Sequence, residues 1–394
     1  MADNKNKKVL NVPALRFPEF TEEWKRIRVS DLLDFYSTNS LSWEQLEYES
    51  NEPYNLHYGL IHVGLPTLVD LTKDKLPSIK EDNVPKKYEL CKEGDVAFAD
   101  ASEDTNEVAK VVEFYNLDGK KVVCGLHTIH GRDNDKQTAE GFLGYCFSST
   151  VFHNQIRRIA QGTKIYSINT RNFSEVFVGL PSMSEQQKIA TLLRLIDERI
   201  ATQNKIIEKL ETLIKGIRNN IIFKIKGDCI ALQDIADIYQ PQTIASTDLT
   251  EDGYLVYGAN GIIGKYHSFN HEKEQICITC RGNTCGTVNF TEPKSWITGN
   301  AMVINTDNYA KNVNKRYLFH YLSSINFNSI ISGSGQPQIV RQPLAKLKLI
   351  LPVLIIQNRI AECLDAMFAK MKNEQSFLQI LQIQKSCLLS QMFI

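Results

Sequence analysis

Cysteine and histidine side chains occur at spacings that could bind a metal ion. Cys277 and Cys280 form a Cys-x-x-Cys pair with Cys285 nearby, and His127 and His130 form a His-x-x-His pair. Residues three apart on a strand point to opposite faces, so the cysteine pair is poorly placed to share one ion. There is no second Cys-x-x-Cys pair, and the sequence does not indicate a third ligand for the histidines. We therefore expect no metal site from either pair.

Three carboxylates lie close together at Asp100, Glu103 and Asp104. Such a cluster could hold Mg²⁺ or transfer protons, could accept a hydrogen bond from cytosine N4, or could cap a turn. The sequence contains no Walker loop, no Asn-Pro-Pro-Tyr box and no GxGxxG motif after a strand. We therefore expect a chain without catalytic residues or cofactors, and a stand-alone enzyme that uses this cluster is the disfavoured alternative.

A glycine turn at residues 281–284 combines three side chains suited to nucleic acid. Arg281 offers a guanidinium, Asn283 an amide and Thr284 a hydroxyl. Arginine binds guanine or phosphate through two hydrogen bonds, which makes this turn a candidate for DNA contact. The alternative is an ordinary solvated surface turn.

A second glycine-rich segment has the spacing GxxGxxG at Gly258, Gly261 and Gly264, which fits neither nucleotide-binding fingerprint. The glycines are either plain turn residues or part of a loop pressed against DNA. In the second case Tyr257 and Asn260 would reach base edges or phosphates, because asparagine can pair with adenine in the major groove.

The elements that must position these residues are repeated. A shift of 171 residues places Gly162 on Gly333, and it also superposes residues 180–181 on 351–352 and 189–190 on 360–361. A weaker match at an offset of 203 relates residues 31–36 to 234–239. The chain therefore consists of a variable domain and a constant helix, each present twice.

The repeat places two short segments, residues 162–166 and 333–338, at equivalent positions before the last strand of each domain. Repeated placement suggests one shared role, namely contact with DNA from each domain. Two arginines on a helical stretch could meet phosphate or could face solvent. The candidates are Lys164, Tyr166, Gln336 and Gln338 on the segments, with Arg157 and Arg158 on the helix.

The constant segments have an apolar repeat of period 3.5, which is typical of a coiled coil. Polar Gln203 and Glu374 fall at the same register, which favours pairing of the two helices over two independent amphipathic helices. Lys385 on the second seam suggests that this helix frays or ends early. The pairing positions are Ile189, Leu193, Ile196, Ile200, Gln203, Ile207 and Leu210, and Leu364, Met367, Met371, Glu374, Leu378 and Leu381.

The variable domains have short β-type runs and two helical stretches, near 141–159 and 313–331. We predict an α+β fold with domains at 1–181 and 227–352 and helices at 182–226 and 353–394. Segments 173–180 and 344–351 alternate like strands that lead into the helices. The predicted strands are 96–99, 108–114, 121–124, 275–279, 287–290 and 301–305.

Antiparallel helices would hold the two domains about 50 Å apart, because 33 helical residues rise ~1.5 Å each. Two similar domains related by a pseudo-two-fold axis suit a two-fold partner, and duplex DNA with half-sites ~34 Å apart is the obvious one.

The composition of the chain excludes several other classes of protein. Of the 394 residues, 43% are hydrophobic and 23% are charged, so the chain is not wholly disordered. The strongest apolar run, residues 347–356, is too short for a membrane span. A polar N-terminus without a signal-peptide pattern predicts a cytoplasmic protein with reduced cysteines. The net charge is zero, although residues 17–181 carry 26 acidic and 18 basic side chains.

Several motifs resemble the specificity subunits of type I restriction–modification systems. They are PSMSEQQKIATLLRLIDERI at 181–200, PALRFPEFTEEW at 13–24, GDVAFADASED at 94–104 and YGANGIIGKY at 257–266. The segment VLIIQN at 353–358 departs from the family, which prefers acidic residues before the glutamine.

This resemblance implies that each domain reads half of a split DNA target and that the helices set the gap between the halves. It also implies docking of two methyltransferase subunits, with translocase–nuclease subunits joining for cleavage. The acidic first domain predicts weak DNA binding by the isolated chain. The alternative is a coiled-coil adaptor that binds proteins and reads no DNA sequence.

Overall fold

The computed structural model describes residues 11–48, 52–258, 261–333 and 335–394. The chain divides into two compact units, residues 1–203 with 377–394, and residues 204–376. Each unit therefore contains one α+β domain together with a part of each of the two long helices, and each is described separately.

The first unit is built around a five-stranded sheet, β2-β11-β7-β9-β5, and a four-stranded sheet, β10-β4-β6-β3, while β1 pairs with β13 and β8 with β12. The elements up to the first long helix are β1 (Lys25–Arg28), α1 (Val29–Leu32), β2 (Asp34–Tyr36), β3 (Leu46–Glu47), β4 (Tyr54–Leu56), α2 (Tyr58–His62), β5 (Leu68–Asp70), β6 (Ser78–Ile79), β7 (Val96–Ala99), β8 (Ala101–Ser102), β9 (Val111–Asn116), β10 (Val122–Cys124), β11 (Thr128–Arg132), α3 (Phe142–Phe147), α4 (Thr150–Ile159), β12 (Tyr166–Ser167), α5 (Thr170–Ser174), β13 (Phe177–Leu180) and α6 (Met183–Lys224).

Aromatic packing forms the core of this unit. Every residue of β7 and β11 is buried, as central strands require. The ring of Phe98 in β7 lies 4.9 Å from Phe147 in α3 and 4.7 Å from Phe173 in α5, centroid to centroid. These edge-on contacts hold the helices against the sheet.

The second unit has a smaller sheet framework, β15-β21-β18-β19 and β17-β16-β20, while β14 pairs with β24 and β22 with β23. Its elements are β14 (Asp228–Ala231), β15 (Asp237–Tyr239), β16 (Tyr254–Gly258), β17 (Gly261–Tyr266), β18 (Ile276–Thr279), β19 (Val288–Phe290), β20 (Trp296–Ile297), β21 (Ala301–Asn305), α7 (Lys315–Leu322), β22 (Ile331–Ser332), β23 (Gln338–Ile339), α8 (Arg341–Ala345), β24 (Lys348–Leu351) and α9 (Leu354–Gln391).

The α+β class is confirmed, and the predicted strands correspond to β7, β9, β10, β18, β19 and β21. Segments 173–180 and 344–351 were predicted to be strands that lead into the long helices, and β13 and β24 confirm this for residues 177–180 and 348–351, whereas the opening residues of each segment are helical. The first begins inside α5, because the Asn169 side chain caps that helix by accepting from the Asn172 N–H. The second begins inside α8, whose first turn contains Pro343.

A repeated glutamine fixes the start of each long helix. Gln186 accepts from the Ala139 N–H at 2.8 Å and donates to the Pro181 carbonyl at 3.0 Å. Gln357 accepts from the Asn314 N–H and donates to the Pro352 carbonyl, both at 2.8 Å. Both glutamines are buried, so these bonds lock each helix onto its domain.

The long helices bury their predicted seam. Each of the thirteen pairing positions predicted from the sequence is buried or half-buried. Within the first unit the helices run antiparallel, since Lys385 of α9 lies 2.6 Å from Asp197 of α6, and Phe393 beyond α9 packs on Trp24 ahead of α6. Lys385 does not end its helix, because the ion pair satisfies it and α9 continues to Gln391. Pairing of α6 with α9 along their full length stays a prediction.

Among the helices of the described residues, none has the length and apolar character that crossing a bilayer requires.

Candidate nucleic-acid interface

In the second unit the repeated segment forms a tight hairpin. Strands β22 and β23 pair Ser332 with Gln338 around the turn. Gly333 has φ of +95°, and a Cβ there would lie 2.4 Å from the Gln336 carbonyl oxygen. The left-handed φ and this close approach both favour glycine at position 333.

The turn after β18 is bonded directly to this hairpin. Arg281 and Gln338 form an antiparallel bridge, and the Gly282 N–H donates to the Pro337 carbonyl at 3.0 Å. The structure therefore brings five of the predicted residues onto one surface, the Arg281 surface. All five are exposed: Arg281, Asn283, Thr284, Gln336 and Gln338.

Sequence reasoning missed Gln240 at this surface. Its side-chain amide donates to the Gly299 carbonyl and to the Cys280 sulfur, both at 3.1 Å, which places it beside the Arg281 turn. The available signal was a repeated tripeptide, because Gln-Pro-Gln occurs at 240–242 and again at 336–338. Both copies lie against the same turn.

Tyr257 is not part of this surface, which corrects the expectation for that residue. Its side chain is 6% exposed, and its hydroxyl accepts from the Glu292 N–H at 3.1 Å. A ring buried in the sheet core cannot reach a base edge. Asn260 lies outside the described residues. The neighbouring Ile262 in β17 is 55% exposed.

The first unit repeats the hairpin against a different loop. Strand β12 pairs Tyr166 with Ser102 of β8, and a bridge joins Gln161 to Ser167. Gly162 has φ of +136°, and a Cβ there would lie 1.9 Å from the Ile165 carbonyl oxygen. Lys164 at the tip is exposed, whereas Tyr166 is half-buried against the core.

The two predicted arginines of this unit are separated. Arg157 donates to the Asn106 side chain at 2.7 Å, which holds its guanidinium over the loop that follows β8. Arg158 instead lines a surface cavity of about 430 Å³ with Arg26 and Phe177. Only Arg157 therefore joins the loop that faces the hairpin.

Two of the three predicted carboxylates, Asp100 and Asp104, make separate contacts. Asp104 accepts from the Asn106 N–H at 2.8 Å and so caps a turn, which is one of the alternatives left open by the sequence. Asp100 lies 3.1 Å from His127 Nδ1, and burial raises the pKa of that carboxyl. These contacts favour a structural and polar-contact role over proton transfer.

A line of rings near His127 was not evident from the sequence. The rings of Trp43 and His57 are tilted against each other with centroids 4.4 Å apart, His57 lies 4.7 Å from Tyr58, and Tyr58 lies 5.3 Å from His127. Trp43 and His127 are exposed at the two ends. The four residues come from three separate segments, because only His57 and Tyr58 are neighbours in the sequence, so the fold brings the segments together.

Comparison with known proteins decides the family. A family model described as the type I restriction modification DNA specificity domain matches residues 114–212 and 228–382, more than half of the chain. The chain belongs to this family.

Curated relatives of the specificity-domain family match parts of the chain. The type I restriction enzyme EcoprrI specificity subunit of Escherichia coli is 28% identical over 169 residues, 42% of this chain and 41% of that protein. The putative MjaX specificity subunit of Methanocaldococcus jannaschii is 26% identical over 208 residues, 52% and 47%. The matched regions thus span under half of these relatives.

Solved structures share the fold over nearly the whole chain. The S subunit of a type I restriction–modification system from M. genitalium has a TM-score of 0.62 at 16% identity, covering 97% of this chain and 99% of that one. A chain from a study of assembly and conformational transition of the type I system has a TM-score of 0.59 at 15% identity, covering 93% and 96%. The resemblance inferred from the motifs is confirmed.

Proposed function

We propose that this chain is the DNA-recognition subunit of a type I restriction–modification complex and reads a bipartite duplex target. The observation that carries the proposal is the repeated hairpin. In each unit it is joined by backbone pairing to the loop that follows a central strand, β7 or β18. Each domain thus presents one surface that is built from two chain segments, the hairpin and the loop that it pairs with.

The Arg281 surface reads the second half-site. An arginine can bind O6 and N7 of guanine together, and the neighbouring glutamines and Asn283 can bind adenine edges or phosphate. The first domain uses Lys164, Tyr166 and Arg157 with its acidic loop. Because this domain is rich in carboxylates, phosphate contacts supply little of its affinity.

The long helices bind the partner subunits. Two methyltransferase subunits dock along them, restriction–translocase subunits join for cleavage, and the chain itself performs no catalysis. Apolar side chains left exposed on the helices support this docking, since such side chains mark protein contacts when they cluster. They are Met183, Leu195, Ile206, Leu213 and Phe223 on α6, and Ile355, Phe377, Ile380 and Ile383 on α9.

The test is methylation by the assembled complex. Arg281→Ala, expressed with the cognate methyltransferase, should relax the second half-site at one base pair and lower modification there by roughly 5- to 150-fold, as loss of ~1–3 kcal/mol implies. The first half-site should be unchanged. Lys311→Ala is the matched control, because it removes an exposed charge that follows the opposite end of β21.

The methylated sequences identify the outcome. An unchanged motif for Arg281→Ala would remove this residue from base reading. Absence of a protected split sequence in a footprint of the wild-type complex would contradict DNA recognition altogether and favour a protein adaptor.

Helix length tests the spacing role. Adding one heptad to both α6 and α9 lengthens each helix by ~10 Å, or about three base pairs. The half-site sequences should remain and the gap between them should grow. A constant gap would show that the helices do not set it.

A further inference from the structure

Three buried side chains in the first domain form a group of metal-ligand type. Cys91 and Cys124 have sulfur atoms 3.5 Å apart, and a ring nitrogen of His130 lies within 4.8 Å of both. Their exposed fractions are 6%, 2% and 0%. The three residues lie on different segments, ahead of β7, in β10 and in β11, so the group was not visible as a sequence motif.

One ring nitrogen of His130 has a hydrogen-bond partner and the other has none. Its Nε2 lies 2.7 Å from Asp95 Oδ2, and Arg132 Nε donates to Asp95 Oδ1 at 2.8 Å. Its Nδ1 is fully buried and has no hydrogen-bond partner. An orphaned buried nitrogen destabilises the fold, and a metal bond at that atom removes this cost.

The contact of His130 with the Asp95 carboxylate is of a kind found at metal sites. Metal-ligating histidines usually give their other ring N–H to a carboxylate, which fixes the ring orientation. Asp95 is also held by Arg132, whose Nε and Nη2 both donate to its carboxylate at 2.8 Å. This fixed carboxylate accepts from the Nε2 N–H of His130 and leaves Nδ1 for a ligand.

Charge and distance both suit zinc. Two thiolates neutralise Zn²⁺, and Asp95 with Arg132 forms a second neutral pair, so the buried group carries no net charge. Zinc–sulfur bonds of about 2.3 Å at a tetrahedral angle place two sulfurs about 3.8 Å apart, close to the 3.5 Å between Cys91 and Cys124. Two cysteines and one histidine, with the fourth position left to water, are an established zinc ligand set.

We propose that Cys91, Cys124 and His130 bind one Zn²⁺ ion in the first domain. The ion ties β10 to β11 and to the chain before β7. It thereby braces residues 125–127, the turn that presents His127 beside Asp100. This inference does not depend on the proposed function.

Zinc content of the purified full-length chain tests the site. Wild-type protein dialysed against metal-free buffer should retain about one Zn²⁺ per chain by mass spectrometry. Cys124→Ser and His130→Asn should lower this at least tenfold. The double variant Cys280→Ser, Cys285→Ser is the matched control, because it removes two neighbouring thiols from the second domain, and it should keep the full zinc content. Zinc-free wild-type protein, or full zinc content in Cys124→Ser, would overturn the proposal.

Experiments on the wild-type chain separate metal loss from misfolding. Replacement by Co²⁺ should give a thiolate-to-cobalt absorption band, and a zinc chelator should lower the melting temperature. A spectrum without that band would overturn the assignment of cysteine ligands. Recovery of a Cys91–Cys124 disulfide peptide from the native protein would also overturn the proposal, since oxidised sulfurs cannot bind the ion.

Discussion

The two domains share a hairpin whose backbone pairs with a neighbouring loop, and they differ in the side chains of that loop. Both hairpins turn at a glycine with a left-handed φ, where a Cβ would meet a carbonyl oxygen: Gly162 in the first domain and Gly333 in the second. The hairpin of the second domain meets a turn with Arg281, whereas the hairpin of the first meets a loop with exposed Glu103 and Asp104.

Under the proposed function, this difference indicates how one fold serves two DNA half-sites. The backbone pairing fixes where the reading surface lies, because it depends on glycine and main-chain bonds. The side chains on the facing loop differ in charge between the two domains, with Arg281 in the second and Glu103 and Asp104 in the first. A guanidinium selects acceptors on a base edge, while a carboxylate selects donors such as cytosine N4.

Substitutions at the buried seam positions of the long helices should have the largest effect, and they test whether the two units depend equally on these positions. Leu193 and Leu364 are equivalent under the 171-residue shift, and both are fully buried. Leu193→Ala and Leu364→Ala should each lower the free energy of unfolding by about 2–5 kcal/mol, through lost apolar burial and the cavity left behind. Urea denaturation measures both values.

The matched control on the same helix is Leu195→Ala, since Leu195 is 52% exposed. It should change stability by only about 0.5 kcal/mol. If Leu193→Ala were as mild as this control, the N-terminal half of α6 would not belong to the core of the first unit.

The dependence of the unfolding free energy on pH should differ between the two units. Burial raises the pKa of Glu113 to about 7, although the Gly141 and Gly144 N–H groups donate to its carboxylate. Because the folded pKa exceeds the unfolded value, stability falls as pH rises between these values, by roughly 3 kcal/mol at 1.36 kcal/mol per unit.

Glu113→Gln should therefore flatten the dependence of unfolding free energy on pH between about 5 and 7. In the second unit burial lowers the pKa of His320, so stability there rises as pH rises towards 6.5. His320→Gln should remove that opposite trend. An unaltered slope in Glu113→Gln would show that its carboxyl ionises normally in the folded chain.

The hairpin glycines provide a symmetrical test of half-site reading. Gly162→Ala and Gly333→Ala each place a Cβ against a carbonyl in a left-handed conformation, with strain of about 1–3 kcal/mol. Each should weaken recognition of its own half-site about 5- to 150-fold and leave the other intact. Selection of methylated sequences from a random pool measures this. Loss of both half-sites from one substitution would contradict independent reading.

The smallest effect concerns the ion pair between α6 and α9 in the first unit. Asp197 and Lys385 are 22% and 21% exposed. Lys385→Met should change stability by less than about 1 kcal/mol, because partial exposure limits an ion pair and methionine keeps the packing. Thermal unfolding at low and high salt measures this. A large loss would show that the pair, not the apolar seam, fixes the helices.

The sequence predicted the strands, the long helices and the hairpins better than the side chains of the candidate interface. Strands such as β7 and β18 and the long helices follow from periodicity, and the repeat located both hairpins. The prediction for Tyr257 was wrong because the sequence identifies the residue as part of a strand but does not show which face of the sheet its side chain is on. Polar neighbours that would mark the solvent face are missing on both sides. Short helices α5 and α8 were missed because each is a single turn that capping or proline decides locally.

Contacts between distant segments were beyond the sequence. Gln240 reaches Cys280 from 40 positions away, and Cys91 meets Cys124 across 33. Neither pairing follows from spacing, since it depends on how the strands are ordered in the sheets. The repeated Gln-Pro-Gln shows that a tripeptide search would have recovered Gln240.

The core of the first unit includes residues from far along the chain. Met392 and Phe393 are buried there beside Trp24, and the Leu15 N–H donates to the Gln391 carbonyl. During translation the ribosome therefore makes the entire second domain before it makes these residues. The first domain reaches its final packing only after the second has been synthesised, so folding does not proceed strictly from the N-terminus onwards.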